Sequence, residues 1–253
     1  MQSVFITGAS SGIGTSLARQ FYREGFVVGL VARRDHVLRS IKESLGERCF
    51  CYQVDVTDYE ALRLAAEQFM QEVGVPDVVI ANAGISGGTL SEDFGDIEAF
   101  EQILRTNVLG VVNTFQPFMK GMLRENRGTF VGVSSIAGIR GLPGSGAYSA
   151  SKAALTTYLE SLRVELHESG VNVLTVCPGY IKTPMTDVNQ FHMPFLMNSD
   201  DAADSIIQAI KRKKVVHIMP WQMKLVASCM KWLPRVIYDR LASTAPRKPK
   251  FTR

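Results

Sequence analysis

Tyr148-Ser149-Ala150-Ser151-Lys152 sets a phenol and an ammonium four residues apart, which on a helix places both on one face within mutual reach. A phenol with a pKa near 10 is a poor proton-transfer group at neutral pH, and lowering it by about three units takes about 4 kcal/mol of differential stabilisation. A positive charge ~5 Å away, at an effective dielectric near 20, supplies roughly 3 kcal/mol of that. Acid–base chemistry at Tyr148, assisted by Lys152, is what the pair suits. Taken alone, Tyr-x-x-x-Lys is also a common solvated pair on helix surfaces.

A second constellation is Thr7-Gly8-Ala9-Ser10-Ser11-Gly12-Ile13-Gly14, which follows an apolar run and opens a helix-period segment. Glycines there let the backbone approach a pyrophosphate, and free N–H groups with the helix dipole attract it. The spacing is GxxxGxG, and a bare tight turn is the plainer alternative. Nineteen residues past Gly14, where a carboxylate would grip the ribose of NAD, stand Arg33 and Arg34. Two guanidinium groups suit a 2′-phosphate, so NADP(H) is expected over NAD(H). A solvated loop pair, or Asp35 serving NAD, is the alternative.

These groups need a scaffold. Strand-like runs at Val4-Phe5-Ile6, Phe26 to Ala32, Cys49 to Val54, Asp77 to Ala81, Thr129 to Ser134, Asn172 to Cys177 and Val215 to Met219 alternate with helix-period segments. The helices are expected over Ile13 to Glu24, Asp35 to Leu45, Tyr59 to Val73 opened by Asp58, Ile97 to Arg124, Tyr148 to Ser169 and Ala202 to Lys211. Regular β-α alternation with continuously apolar strands predicts an α/β, doubly wound, parallel sheet of about seven strands, Rossmann-like, with helices on both faces. Ligands then bind beyond the carboxyl ends of the strands. Residues 1-220 are assigned to a nucleotide-binding and catalytic domain. Residues 221-253 form an apolar helix and basic tail, part of the same domain or a peripheral extension.

Residue order and spacing resemble the short-chain dehydrogenase/reductase family over nearly the whole chain. The glycine loop is similar to its TGxxxGxG, Asp55-Val56-Thr57 to its adenine-contacting strand end, Asn82-Ala83-Gly84 to its NAG, and Tyr148 with Lys152 to its YxxxK. Ser135, thirteen before Tyr148, matches the substrate-orienting serine, with Ser134 as a lesser substitute. Asn107 matches the asparagine of a water-mediated proton relay to the lysine. Pro178-Gly179-Tyr180-Ile181-Lys182-Thr183 resembles PGxxxT, which implies Thr183 on the nicotinamide carboxamide.

The resemblance implies hydride transfer between C4 of nicotinamide and a carbonyl or alcohol carbon, with Asn107, Ser135, Tyr148 and Lys152 as catalytic residues. It further implies cofactor contacts from Thr7, Gly8, Ser10, Ser11, Gly12, Ile13, Gly14, Arg33, Arg34, Asp55, Val56, Asn82, Ala83, Gly84, Tyr148, Lys152, Pro178, Gly179, Ile181 and Thr183. Lys152 would bind the nicotinamide ribose and depress the Tyr148 pKa, a nicotinamide cation adding the rest. Each residue has a structural alternative: Asp55 as a helix cap, Asn82 as a strand-end tie, Asn107 as an ordinary helix polar. A non-catalytic NADP(H)-binding sensor or interaction protein on the same fold is the rival from another class, and a sugar-nucleotide epimerase a third.

The stretch Phe191-His192-Met193-Pro194-Phe195-Leu196-Met197 falls where the family carries a mobile substrate lid. Flexible Met and flat Phe suit a lipophilic, lipid- or steroid-like substrate, although packing on the core or a partner subunit accounts for them equally. His192 and His217 lack carboxylate or cysteine neighbours at ligand spacing, so no metal is expected.

Net charge is +4, but residues 221–253 carry eight Lys and Arg against one acid, leaving twenty basic and twenty-three acidic residues before them. The helix expected over Trp221 to Leu233, ended or bent by Pro234, is basic and Trp-containing. With Arg247, Lys248, Lys250 and Arg253 it suits an anionic membrane surface. The favoured expectation is a helix lining the substrate pocket or a subunit contact, followed by a disordered basic end. No motif supports nucleic-acid binding. Family members commonly associate through the tyrosine-bearing helix, so the resemblance implies a subunit interface there, for which Leu155, Leu159 and Leu162 supply an apolar stripe, and a homodimer or tetramer. Composition is ordinary for a globular chain, the four cysteines suit reduced thiols, and neither a leader nor a spanning helix is visible, so the cytoplasm is the expected compartment.

Overall fold

A computed structural model describes residues 1–93, 95–244 and 247–250; Arg253, counted above in the basic cluster, lies outside them. The chain runs β1 (Ser3–Thr7), α1 (Gly12–Arg23), β2 (Val27–Ala32), α2 (Asp35–Leu45), β3 (Cys49–Gln53), α3 (Tyr59–Val73), β4 (Val78–Ala81) and α4 (Asp96–Leu104). A π-helical turn, Arg105–Leu109, leads into α5 (Gly110–Glu125) and β5 (Gly128–Val133). A 3₁₀ turn, Ile136–Gly138, precedes α6 (Gly146–Glu165) and β6 (Val171–Pro178). Then come β7 (Ile181–Lys182), α7 (Pro184–Asp187), β8 (Met197–Asn198), α8 (Ser199–Lys211), β9 (Val216–Met219), α9 (Trp221–Trp232) and α10 (Arg235–Ala242).

Seven strands form one sheet in the order β3-β2-β1-β4-β5-β6-β9, every neighbouring pair parallel. The continuous apolar strands β1, β2 and β4 are buried along their whole length, because helices cover both faces. On one face, Leu17 and Phe21 of α1, Leu38 of α2 and Ile206 of α8 close over Val4, Ile6 and Leu30. On the other, Phe69 of α3, Phe115 and Phe118 of α5 and Leu159 of α6 pack on Phe5, Val79 and Phe130. Ile6 pairs with Leu30 on one side and Ile80 on the other, so β1 marks the point where strand order reverses. A crevice must open there at the strands' carboxyl ends.

Three expectations change. The segment Ile97 to Arg124 is two helices joined by the π-helical turn. Leu155, Leu159 and Leu162 are buried in the chain's own core against the sheet; the Leu159 side chain lies where a Cβ on Gly132 would stand, so this stripe is not available to a partner subunit. The basic end is ordered over 247–250: Gly88 N–H donates to the Pro249 carbonyl at 2.8 Å, and Lys250 pairs with Asp93. Among the described residues no helix is long and apolar enough to cross a membrane.

Candidate active site

The loop between β1 and α1 is shaped by what its glycines lack. Gly12 has φ +53°, and a Cβ on it would stand 2.7 Å from Thr183 Cγ2, so the segment after β6 lies directly on the loop. A Cβ on Gly14 would collide with the Gly8 carbonyl oxygen, which is how α1 packs so closely under the turn. Thr15 Oγ1 donates to the Ala9 carbonyl at 2.7 Å and braces the loop. Ser11, the N-cap of α1, makes no side-chain cap bond, leaving first-turn N–H groups for an anion at the positive end of the helix.

Beyond this loop the ends of β2 and β3 bring in charge. Arg34 donates to Ser10 Oγ through Nε at 3.2 Å and Nη2 at 2.9 Å, and to the Ser10 carbonyl through Nη2 at 3.0 Å. Arg33 Nη1 lies 3.6 Å from Asp55 Oδ2. Asp55 Oδ1 accepts from the Thr57 N–H at 2.9 Å and hydroxyl at 2.8 Å, so the acid holds its own turn while facing the cleft. Asp58, not Asp55, caps α3, accepting from the Ala61 N–H at 3.0 Å.

Behind the cleft, two asparagines lock the strand ends. Asn82 Nδ2 donates to the carbonyls of Thr7 and Gly8, both at 3.1 Å, tying β4 to β1. Asn107, wholly buried in the π-helical turn, accepts from Ile85 N–H at 2.8 Å and donates to the Ile85 carbonyl at 2.9 Å and to Ser151 Oγ at 3.0 Å. Both amide protons of Asn107 are thereby engaged, and only an Oδ1 lone pair is left for a water. A Cβ on Gly84 would meet Asn107 Oδ1 at 3.2 Å and Lys152 Nζ at 3.5 Å, so these three residues share one small space.

Tyr148 and Lys152 lie on α6, facing the cleft with Ser135 and Pro178. Ser135 Oγ accepts from Ala137 N–H at 3.1 Å, which fixes its orientation. Ser134, the weaker candidate, points away: its hydroxyl donates to the Lys152 carbonyl at 2.9 Å. The Lys152 ammonium donates to the Val133 carbonyl at 2.8 Å and lies 5.7 Å from the Tyr148 ring centre. Burial brings Lys152 down to about 8. It also raises Tyr148 above its ordinary value, the Ser135 hydroxyl pulling the other way. In the chain without cofactor, desolvation of the buried phenolate is the largest influence on Tyr148.

The resulting cleft has a volume of about 530 Å³, within the range of small-molecule sites. Every expected cofactor residue lines it except Thr7 and Gly14, and Asn107 stands behind it. A nucleotide with an extended phosphate fits this donor set: glycine backbone and a helix N-terminus in the middle, two guanidinium groups at one end, and the Tyr148–Lys152 pair at the other. Leu142, Pro143, Met185 and Phe191 add apolar lining to the cleft, with Asn189 and His192 among the polar residues that share it. Lys248, from the ordered tail, also lines it; the sequence placed it only in the terminal basic cluster, not at the site. Phe195 and Leu196 of the expected lid are exposed, while Tyr180 and Phe191 meet edge to face at 6.2 Å. No residue of α9 lines the cleft; Met223 instead packs beneath Gly179.

A parallel sheet with a glycine loop at its switch point and a tyrosine–lysine pair beside it defines a dinucleotide-dependent enzyme architecture. The family model described as short chain dehydrogenase matches residues 2–193, and the chain belongs to the short-chain dehydrogenase/reductase family. It is 38% identical over 244 residues to an uncharacterized oxidoreductase of Myxococcus xanthus, covering 95% of this chain and 96% of that protein. It is 36% identical over 211 residues to a 3-ketodihydrosphingosine reductase of Bacteroides thetaiotaomicron, covering 83% and 75%. The structure of an alcohol dehydrogenase from the archaeon Thermococcus sibiricus, complexed with 5-hydroxy-NADP, matches with a TM-score of 0.76 at 26% identity, covering 87% of this chain and 95% of that one.

Proposed function

We propose that this chain is an NADP(H)-dependent oxidoreductase acting on a carbonyl or secondary alcohol carbon of a lipophilic substrate. The observation that carries this reading is the convergence of Ser135, Tyr148 and Lys152 at one end of a cleft whose other end presents Ser10, Arg33 and Arg34. Bound NADPH supplies the hydride. Tyr148 donates its phenolic proton to the substrate oxygen as negative charge develops there, and Ser135 hydrogen-bonds the same oxygen. Lys152, with one proton given to Val133, directs the others at the nicotinamide ribose and the phenolate that forms. Asn107 positions Ile85 and Ser151 around them and offers its free lone pair to a relay water. Arg33 and Arg34 take the 2′-phosphate, Thr183 the carboxamide.

A lipophilic substrate is supported by the Leu142, Pro143, Met185 and Phe191 lining and by the likeness to a 3-ketodihydrosphingosine reductase. In this reading residues 1-220 hold the cofactor and catalytic groups. Residues 221-253 extend the same domain through the buried Met223 and Ala227 of α9 and the tail at 247–250. The cytoplasm belongs to the same proposal, in keeping with four free cysteines, as does a homo-oligomer.

The test is an NADPH-oxidation screen across ketones and aldehydes of increasing chain length, steroids and long-chain 3-keto compounds included, run beside Tyr148→Phe. Turnover in the variant should fall by about 10² to 10⁴ with NADPH binding, followed by nucleotide fluorescence, kept within a few fold. Unchanged turnover would overturn the assignment.

A further inference from the structure

Resting on the reductase reading, we infer that Lys248 is a substrate-binding residue whose ammonium takes an anionic oxygen of the substrate, so that the preferred substrate is a keto acid with an apolar body. The placement of Lys248 is built by the chain. Gly88 N–H donates to the Pro249 carbonyl, Gly88 and Lys250 form a parallel bridge, and Lys250 pairs with Asp93. A Cβ on Gly88 would stand 2.5 Å from the Lys248 carbonyl oxygen, so this strap seats only on a glycine. Lys248 is carried inward by it, to 5.2 Å from the Tyr148 ring centre.

Charge balance at that end of the cleft points to the ligand. Lys248 Nζ donates to Ser86 Oγ at 2.8 Å, which engages one of its three protons, and among the described residues no carboxylate pairs with it. Asp93 is held by Lys250, and Asp55, the sole acid lining the cleft among the described residues, lies beside Arg33. Tyr148 thus has two ammonium groups near its ring, Lys152 and Lys248, with no counter-ion. Burial works against the charged form of Lys248, and an anion restores it. A partly desolvated cation with no anionic partner among the described residues is a recognition element for negative charge. Its nearness to Tyr148 sets that charge close to the reacting carbonyl, and Leu142, Pro143, Met185 and Phe191 take the apolar remainder. The same cation disfavours an ammonium beside the carbonyl.

The test uses the full chain with NADPH and three medium-chain compounds of matched length: a β-keto acid, its methyl ester and the corresponding amino ketone. Wild type should favour the acid in kcat/KM. Lys248→Met should raise KM for the acid about 10- to 100-fold, the range of a lost charge-assisted hydrogen bond. Its values for the ester should stay within about threefold, and Lys248→Arg should keep most of the preference. Gly88→Val, which blocks the strap's seat and leaves Lys248 chemically intact, should copy Lys248→Met. NADPH binding reports that each variant is folded. Equal or greater wild-type activity on the ester or the amine overturns the inference and leaves the reductase reading standing, as does an equal loss on acid and ester in Lys248→Met. Turnover of none of the three, with NADPH bound, overturns both.

Discussion

The Lys152 ammonium is bonded to the Val133 carbonyl at 2.8 Å, at the carboxyl end of β5, and both are buried. An ammonium so enclosed is costly to keep charged, and its pKa stands at about 8 against an ordinary 10.5. Between those values the unfolded chain holds a proton that the folded chain has released, so Lys152 makes stability rise with pH from 8 to 10.5. Over that window the contribution amounts to about 3 kcal/mol. The stability gap between Lys152→Met and wild type should therefore shift by about this much towards wild type as pH climbs. Tyr148, raised by burial, adds the opposite slope above pH 10 in both proteins. Urea denaturation at half-unit steps from pH 7 measures the gap, and a constant gap would mean that Lys152 is not desolvated.

Arg34 is tied to Ser10 by three contacts, whereas Arg33 is held by one long pairing with Asp55 and stays largely exposed. Both side chains can turn towards a 2′-phosphate, and charge-assisted bonds of this kind are each worth about 1.5 to 3 kcal/mol. Arg33→Ala/Arg34→Ala should raise KM for NADPH about 10- to 100-fold and leave NADH nearly unaffected, narrowing the preference between them. Steady-state kinetics with both cofactors decides it. Equal losses would place the arginines in loop packing alone.

Much of this site was legible in sequence, for reasons that differ by residue. The glycine loop, Asn82-Ala83-Gly84 and the Tyr148–Lys152 pair sit at strand or helix ends, where local spacing fixes three-dimensional position. The π-helical turn at Arg105–Leu109 carries no propensity signal, so α4 and α5 read as one helix. Spacing on α6 showed that Leu155, Leu159 and Leu162 share a face, but not that the sheet already covers it. The charge effect of Lys152 on Tyr148 can be worked out from spacing; the desolvation of Tyr148 depends on packing from other elements. Lys248 reaches Ser86 across 162 residues, a contact that no local pattern announces.

Asn107 joins the loop after β4 to α6 through Ile85 and Ser151. Its removal leaves the half-buried N–H and carbonyl of Ile85 without these partners, at about 1 to 3 kcal/mol together. Asn107→Ala should therefore lower Tm by about 5 °C or more, and lower kcat further than it weakens NADPH binding. Calorimetry beside nucleotide titration separates the effects. A variant with unchanged Tm and reduced kcat would favour a pure relay role over the positioning one.

Trp221 and Trp232 of α9 are 70% and 80% exposed, and Leu225 of α9 and Val236, Ile237 and Leu241 of α10 are exposed as well. With the α6 leucines buried in the core, the proposed homo-oligomer would seat its second copy on these side chains, since exposed apolar residues grouped on a folded surface mark contact sites. Trp221→Glu/Trp232→Glu should shift the oligomer towards monomer in sedimentation velocity while leaving NADPH binding intact, since no α9 residue lines the cleft. The basic residues on the same helices, Lys224, Lys231, Arg235 and Arg240, make flotation with anionic vesicles the informative companion. Flotation lost in the variant, with the oligomer unchanged, would assign the face to a lipid surface and overturn the subunit contact.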